Sequence, residues 1–230
     1  MKLADLTWTG VRDRAPSLLL VPVGSTEQHG PHLPLSTDTD VAVALCERFA
    51  AIAPAAVAPA VAYGSSGEHA GFPGTLSIGQ AALELLLVEL GRSACDTFAH
   101  VLFVSAHGGN ASAVSRAVSL LVYEGRAVRA FGPRWDGDAH AGRIETSLQL
   151  ALDPNRVELS RAERGNTTAA VELMPAMRTG GVAAVSPNGV LGDPAGASAG
   201  EGNALLDELV RGLAADVSAW LGVAAVGAPS

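Results

Sequence analysis

Four short, largely apolar runs at residues 18–23, 56–62, 101–104 and 127–131 are separated by segments whose apolar side chains recur three and four residues apart. Short runs of this kind are predicted as strands buried on both faces, and the periodic segments between them as helices. Helices are predicted over 39–53, where Val41, Leu45, Phe49 and Ile52 share a face and Pro54 ends it, and over 78–98, where Leu83, Leu86, Leu87 and Leu90 form the stripe. Three more are predicted over 111–123, 143–152 and 199–221. Strand and helix in alternation fold as an α/β protein, a mostly parallel sheet with helices on both faces. We expect one domain over 1–230, with no internal repeat and no linker.

In such sheets ligands collect beyond the carboxyl ends of the strands, and that is where this chain keeps its titratable residues. Glu27 and His29 follow the first strand, Glu68 and His69 the second, and His107 the third. The first loop, 24–38, carries Glu27, His29 and Asp38, with Pro31 and Pro34 between them to forbid a helix. Residues two apart in extended backbone point the same way, so Glu27 and His29 can aim at one point, and Asp38 returns to it if the loop folds back. Taken singly, these could be a solvated acid, a hydrogen-bonded loop histidine and the cap of a helix starting near residue 40. Together they make a ligand set for Zn(II), Mn(II) or Fe(II).

A binuclear site needs about five protein ligands, one of them a bridging acid. Glu27, His29, Asp38, His107 and Glu145 supply that number, with Asp38 as the natural bridge. Gly108 and Gly109 beside His107 would let a substrate approach the backbone. They could equally make a tight turn capped by Asn110, and the two readings are compatible. Glu68, His69 and Trp135 lie on loops suited to substrate contact. His140 and Glu68 are the candidates for moving protons.

Composition narrows the partners. A formal net charge of −8 argues against nucleic acid and acidic membranes, and Lys2, the single lysine, leaves Schiff-base chemistry almost no candidate. Cys46 and Cys95 sit in helical patterns without CxxC spacing and are expected to be buried, reduced thiols. With no leader-like start and no run of about 18 apolar residues, a cytoplasmic location is expected.

Residues 21–34, Gly67-Glu68-His69, Phe72-Pro73-Gly74-Thr75, His107-Gly108-Gly109-Asn110 and 140–147 together resemble the creatininase (creatinine amidohydrolase) family, from Leu6 to the last helix. The resemblance implies a three-layer α/β/α, creatininase-like fold, two divalent ions per subunit, amide hydrolysis and a homo-oligomer, commonly a hexamer. One ion would then take Glu27, Asp38 and His107, and the other His29 and Asp38. Creatininase proper has a glutamate two residues after the His107 equivalent, where this chain has Gly109, and Glu145 is the expected replacement. Ser105-Ala106 also stands in place of the usual Asn-Gly. Residues 164–167, 172–187 and 189–194 further resemble the mycofactocin-system branch of the family. That likeness implies a peptidase that releases the Val-Tyr-derived unit from the modified C-terminus of a precursor peptide during redox-cofactor biosynthesis. The alternatives are a creatinine or formamide amidohydrolase, and an inactive binding protein on the same fold.

Overall fold

A computed structural model describes residues 1–223. The helices are α1 (Trp8–Arg14), α2 (Thr37–Ile52), α3 (Gly79–Ala94), α4 (Ala111–Tyr123), α5 (Arg143–Leu152), α6 (Ala170–Gly180) and α7 (Ala199–Leu221). The strands are β1 (Leu18–Val23), β2 (Ala56–Val57), β3 (His100–Ser105) and β4 (Val128–Phe131). They form one parallel sheet in the order β2-β1-β3-β4.

The side chains of β1 alternate between two separate cores, as the pleat requires. Leu18 and Leu20 pack with Leu102 and Val104 of β3 against α2, α5 and α7. Leu19, Val21 and Val23 pack with Val101 and Phe103 against α3 and α4. Each large side chain fully withdrawn from water here contributes about 1.5–3 kcal/mol. The ladder runs from Leu18 opposite His100 to Val23 opposite Ser105, so β1 and β3 stop level with each other and their following loops leave from one rim.

Where the boundaries differ from expectation, local chemistry gives the reason. The second strand is confined to Ala56–Val57 because Pro59 has no N–H to add to the ladder. The chain nevertheless stays beside β1, with Val61 N–H donating to the Pro22 carbonyl at 2.9 Å. Helix α2 starts two residues early because the Thr37 hydroxyl and N–H both donate to the Pro34 carbonyl, which puts Asp38 inside the first turn rather than at the cap. Helix α3 ends at Ala94, four residues short of the predicted limit. Sequence periodicity assigned no helix to α6, which carries Pro175 in its interior and ends at Gly180-Gly181. Helix α1 was also unread. Cys46 is buried as expected, whereas Cys95, capping α3, is only half-buried, and both are free thiols. Among the described residues no helix is long and apolar enough to cross a membrane.

Candidate metal centre

The loops leaving that rim meet over the carboxyl ends of β1 and β3. Asn110 joins them by accepting from Ser65 N–H at 2.8 Å and donating to the Gly24 carbonyl at 2.9 Å. Its side chain makes no cap bond to α4, so it ties the loops together in place of the N-cap role expected from the sequence. Asp38 is fixed on the first turn of α2 and accepts a 2.6 Å hydrogen bond from the Ser25 hydroxyl. Glu145, in the first turn of α5, accepts from Ala141 N–H at 2.6 Å. Ala141 is held at φ 53°, a left-handed conformation that a non-glycine residue adopts only when its surroundings impose it.

Asp38 lies between two imidazoles, 3.3 Å from His29 Nε2 and 3.3 Å from His107 Nδ1. Glu27 reaches His107 Nε2 and His69 Nε2, both at 3.1 Å, and Glu145 lies 3.8 Å from His29 Nε2. Two groups with donor atoms within 4.8 Å of one another share Asp38: Glu27 with Asp38 and His107, and His29 with Asp38 and Glu145. A third joins Glu27, His29 and His140.

Among the described residues, both carboxylate oxygens of Glu27 and Nε2 of His29 are buried without a well-aligned hydrogen bond. Fully buried ionisable groups left so are costly unless a cation completes them. Their short, misaligned contacts are those of donors aimed at common points between them. The mixed oxygen and nitrogen set suits Zn(II), Mn(II) or Fe(II).

Electrostatics of the bare side chains point the same way. Burial opposes charge on His29, yet Asp38, with Glu145 and Glu27 beyond, pushes its pKa up to about 10. At His107 burial is likewise outweighed, by Asp38, Glu27 and Glu68, and the value rises to about 9. Burial, helped by Asp38 and opposed by the two imidazoles, raises Glu27 to about 7. Asp38, despite its burial, is held well below the usual carboxylate range by His29 and His107. Two imidazoles and part of a carboxylic acid therefore carry protons at pH 7 that a cation must displace. Since these pKa values stand near or above neutrality, rising pH removes the competing protons. Affinity for Zn(II) or Mn(II) is expected to increase between pH 6 and 9 by up to about tenfold per unit for each proton released. Chelator competition at several pH values, with proton release read in weak buffer, tests this, and a flat affinity would contradict it.

Gln28, which the sequence reading passed over, controls the remaining histidines. Its Oε1 accepts from Gly30 N–H at 2.8 Å, so the amide nitrogen must face the other way. That nitrogen donates to His69 Nδ1 at 2.8 Å and to the Gly189 carbonyl at 3.1 Å. His69 then carries its proton on Nε2, facing Glu27. His140 Nε2 lies 2.9 Å from the Gln28 backbone carbonyl and 3.0 Å from the Gln28 side-chain nitrogen; since that nitrogen gives its two hydrogens to His69 and Gly189, the ring donates to the carbonyl, and Nδ1 is left bare, 4.0 Å from both Glu27 and Glu145. These tautomers follow from the hydrogen-bond network. Burial, reinforced by His29, keeps both rings neutral, His69 down at about 3 and His140 well below the usual histidine range. Alternation along the loop would turn Gln28 away from the centre, which is why it escaped notice. Gln28→Met is expected to lower kcat about 10- to 100-fold with metal content retained, and metal loss instead would give Gln28 a different part.

A cavity of about 580 Å³ opens over this floor. Glu27, Asp38, His107, His140 and Glu145 line it, as do Glu68, His69, Gly108, Gly109 and Trp135, while His29 sits behind them, fully buried. Gly109 earns particular notice: a Cβ there would lie 2.3 Å from Glu68 Oε1, 2.4 Å from His107 Nε2 and 2.5 Å from the Ser65 carbonyl. The Glu68 carboxylate thus occupies the space that a side chain at 109 would fill, 3.5 Å from His107. Helix α6 closes the cavity opposite and was invisible to sequence periodicity.

Residues 4–217 match the family model described as creatininase, creatinine amidohydrolase. A Mycolicibacterium smegmatis protein named mycofactocin precursor peptide peptidase is 55% identical over 212 residues, 88% of this chain and 85% of that protein. A Mycobacterium tuberculosis protein of the same name is 44% identical over 236 residues, 96% of this chain and 92% of that protein. A solved structure described as creatininase Mn superposes with a TM-score of 0.81 at 26% identity, over 95% of this chain and 97% of that one.

Proposed function

Because the chain belongs to the creatininase family of amide hydrolases, we propose that it is the metal-dependent peptidase of mycofactocin biosynthesis, cleaving the modified C-terminus of the precursor peptide to release its Val-Tyr-derived unit. The observation that carries this reading is the 55% identity over most of the chain to a peptidase of that name. The roomy cavity over the acid and imidazole floor supports it, being large enough for a peptide end.

Glu27, Asp38 and His107 would hold one divalent ion, and His29, Asp38 and Glu145 a second, with Asp38 common to both. When bound, the pair supplies electrophilic polarisation of the amide carbonyl and a more acidic water. Those five residues leave His140 free for proton transfer. Its bare Nδ1 can take a proton from the attacking water and, as the C–N bond breaks, return it to the leaving nitrogen. The proton on Nε2 stays with the Gln28 carbonyl throughout, so the ring keeps its orientation. Glu68 faces the cavity and can accept a hydrogen bond from the substrate N–H, aligning the amide over the floor. His69, Trp135 and the exposed backbone of Gly108 and Gly109 complete the substrate walls. We further take the enzyme to act in the cytoplasm as a homo-oligomer, a hexamer by family likeness.

Protein reconstituted with Zn(II), Fe(II) or Mn(II) and incubated separately with the modified precursor peptide and with creatinine tests the reading by mass spectrometry. Cleavage near the peptide C-terminus is expected, with two ions per chain by elemental analysis. Turnover of creatinine without peptide cleavage would move the substrate to the family's other chemistry. Neither turnover nor bound metal would leave a binding protein on this fold.

A further inference from the structure

The cavity face of α6 has a pattern of its own. Ala170, Met174, Met177 and Arg178 line the cavity, at i, i+4, i+7 and i+8, which is one side of a helix. Three of these positions are apolar and the fourth, in the last turn, is a cation. Leu173, on another side, is buried with Val182 and Leu191, with Met177 packed against them, and anchors the helix. Gly181, just beyond it, lies so close to the Glu68 carbonyl that a Cβ would come within 2.6 Å, so the end of α6 is seated on the loop that presents Glu68.

Among the described residues, Arg178 is the one arginine or lysine lining a cavity whose acids are Glu27, Asp38, Glu68 and Glu145. Among the described residues it makes no ion pair and no hydrogen bond. Most of the chain's other arginines are engaged, as Arg92 is with Glu124 and Arg143 with Glu201. A guanidinium presents a planar fork of donors matched to a carboxylate. The acids and imidazoles of the floor are committed to the ions and the scissile amide, so the partner left for a carboxylate on the substrate is Arg178, exposed at the rim.

We propose that Arg178 is a specificity residue that holds a carboxylate of the peptide substrate, while Met174 and Met177 cover an adjoining apolar part. This deepens the peptidase reading and rests on it. The carboxylate fixes direction: with it at the rim, the amide to be cut is turned toward the floor. It could be an acidic side chain near the cleaved bond or a free chain terminus, and the two have the same chemistry.

The test uses the metal-loaded, full-length protein and synthetic precursor peptides in which each carboxylate, side-chain or terminal, is replaced in turn by the carboxamide. For the parent protein, one replacement is expected to lower kcat/KM roughly 10- to 100-fold, mostly through KM. Which one does so identifies the source. In Arg178→Gln that ratio should fall toward one, and in Arg178→Glu it should invert in favour of a peptide carrying lysine at the same position. Arg178→Lys keeps a positive charge at the helix end but not the fork, so it should recover only part of the preference; full recovery of helix stability without the preference would separate binding from a dipole effect. If the parent cuts all the peptides equally well, or if the ratio survives in Arg178→Gln, the assignment to Arg178 is overturned while the peptidase reading stands. If no peptide is cut by any form, the peptidase reading itself falls.

Discussion

Asp38→Asn is expected to abolish metal binding at both positions and to lower peptide turnover at least about a thousandfold, the scale of losing the centre that activates water. The reason is geometric. Among the described residues, Asp38 is the only carboxylate within 3.3 Å of both His29 and His107, and it belongs to both donor groups that would hold the pair. Its loss also strips the two imidazoles of the charge that supports their protons, and breaking a buried pair of this kind costs about 3–5 kcal/mol. Elemental analysis and thermal unfolding of the variant check the two effects separately. A variant that kept two ions per chain would require another bridging group. Asp40, two residues further along α2, accepts from Ser36, Gln149 and Arg156 and is the control: its removal should cost about 1–3 kcal/mol of stability but leave metal content unchanged.

The second large effect is at Gly109. Gly109→Ala puts a methyl group within 2.5 Å of Glu68, His107 and the Ser65 backbone. Glu68 can swing away, but the Ser65 carbonyl belongs to a loop tied down by Asn110. Overpacking of this sort costs about 1–3 kcal/mol, and displacement of His107 and Glu68 is expected to lower kcat/KM about 100-fold or more. Gly108→Ala is the matched comparison, since a Cβ there meets nothing within 4 Å. Its stability should be unchanged within about 0.5 kcal/mol. Equal losses in the two variants would mean that close approach to the backbone, rather than crowding around Glu68, is what the glycines serve.

The parts of this fold that could be read from sequence are those in which one local rule acts alone. The apolar run of β1 and the stripes of α4, α5 and α7 each signal burial on a fixed period, and their limits emerge as expected. Helix α6 was illegible because Pro175 and Gly180-Gly181 announce a break, whereas packing of Leu173 against Val182 and Leu191 holds the helix together. In the candidate site, the acids and imidazoles stood out because ionisable residues at strand ends seldom cluster without purpose. Gln28 and Arg178 did not, since a neutral amide and a surface-type cation carry no such signal. Only the fold reveals that one reaches His69 and the other lines the cavity.

The donors of the candidate centre are scattered from residue 27 to residue 145, and α5, which bears Glu145, is clamped in turn by α7, where Gly202 packs directly on the Ser147 backbone. The last donor can therefore be seated only once the chain through α7 has left the ribosome. Nascent fragments would offer incomplete sets with weak hold on any ion. Any ion would thus be taken up by the folded molecule rather than in the order in which the chain emerges.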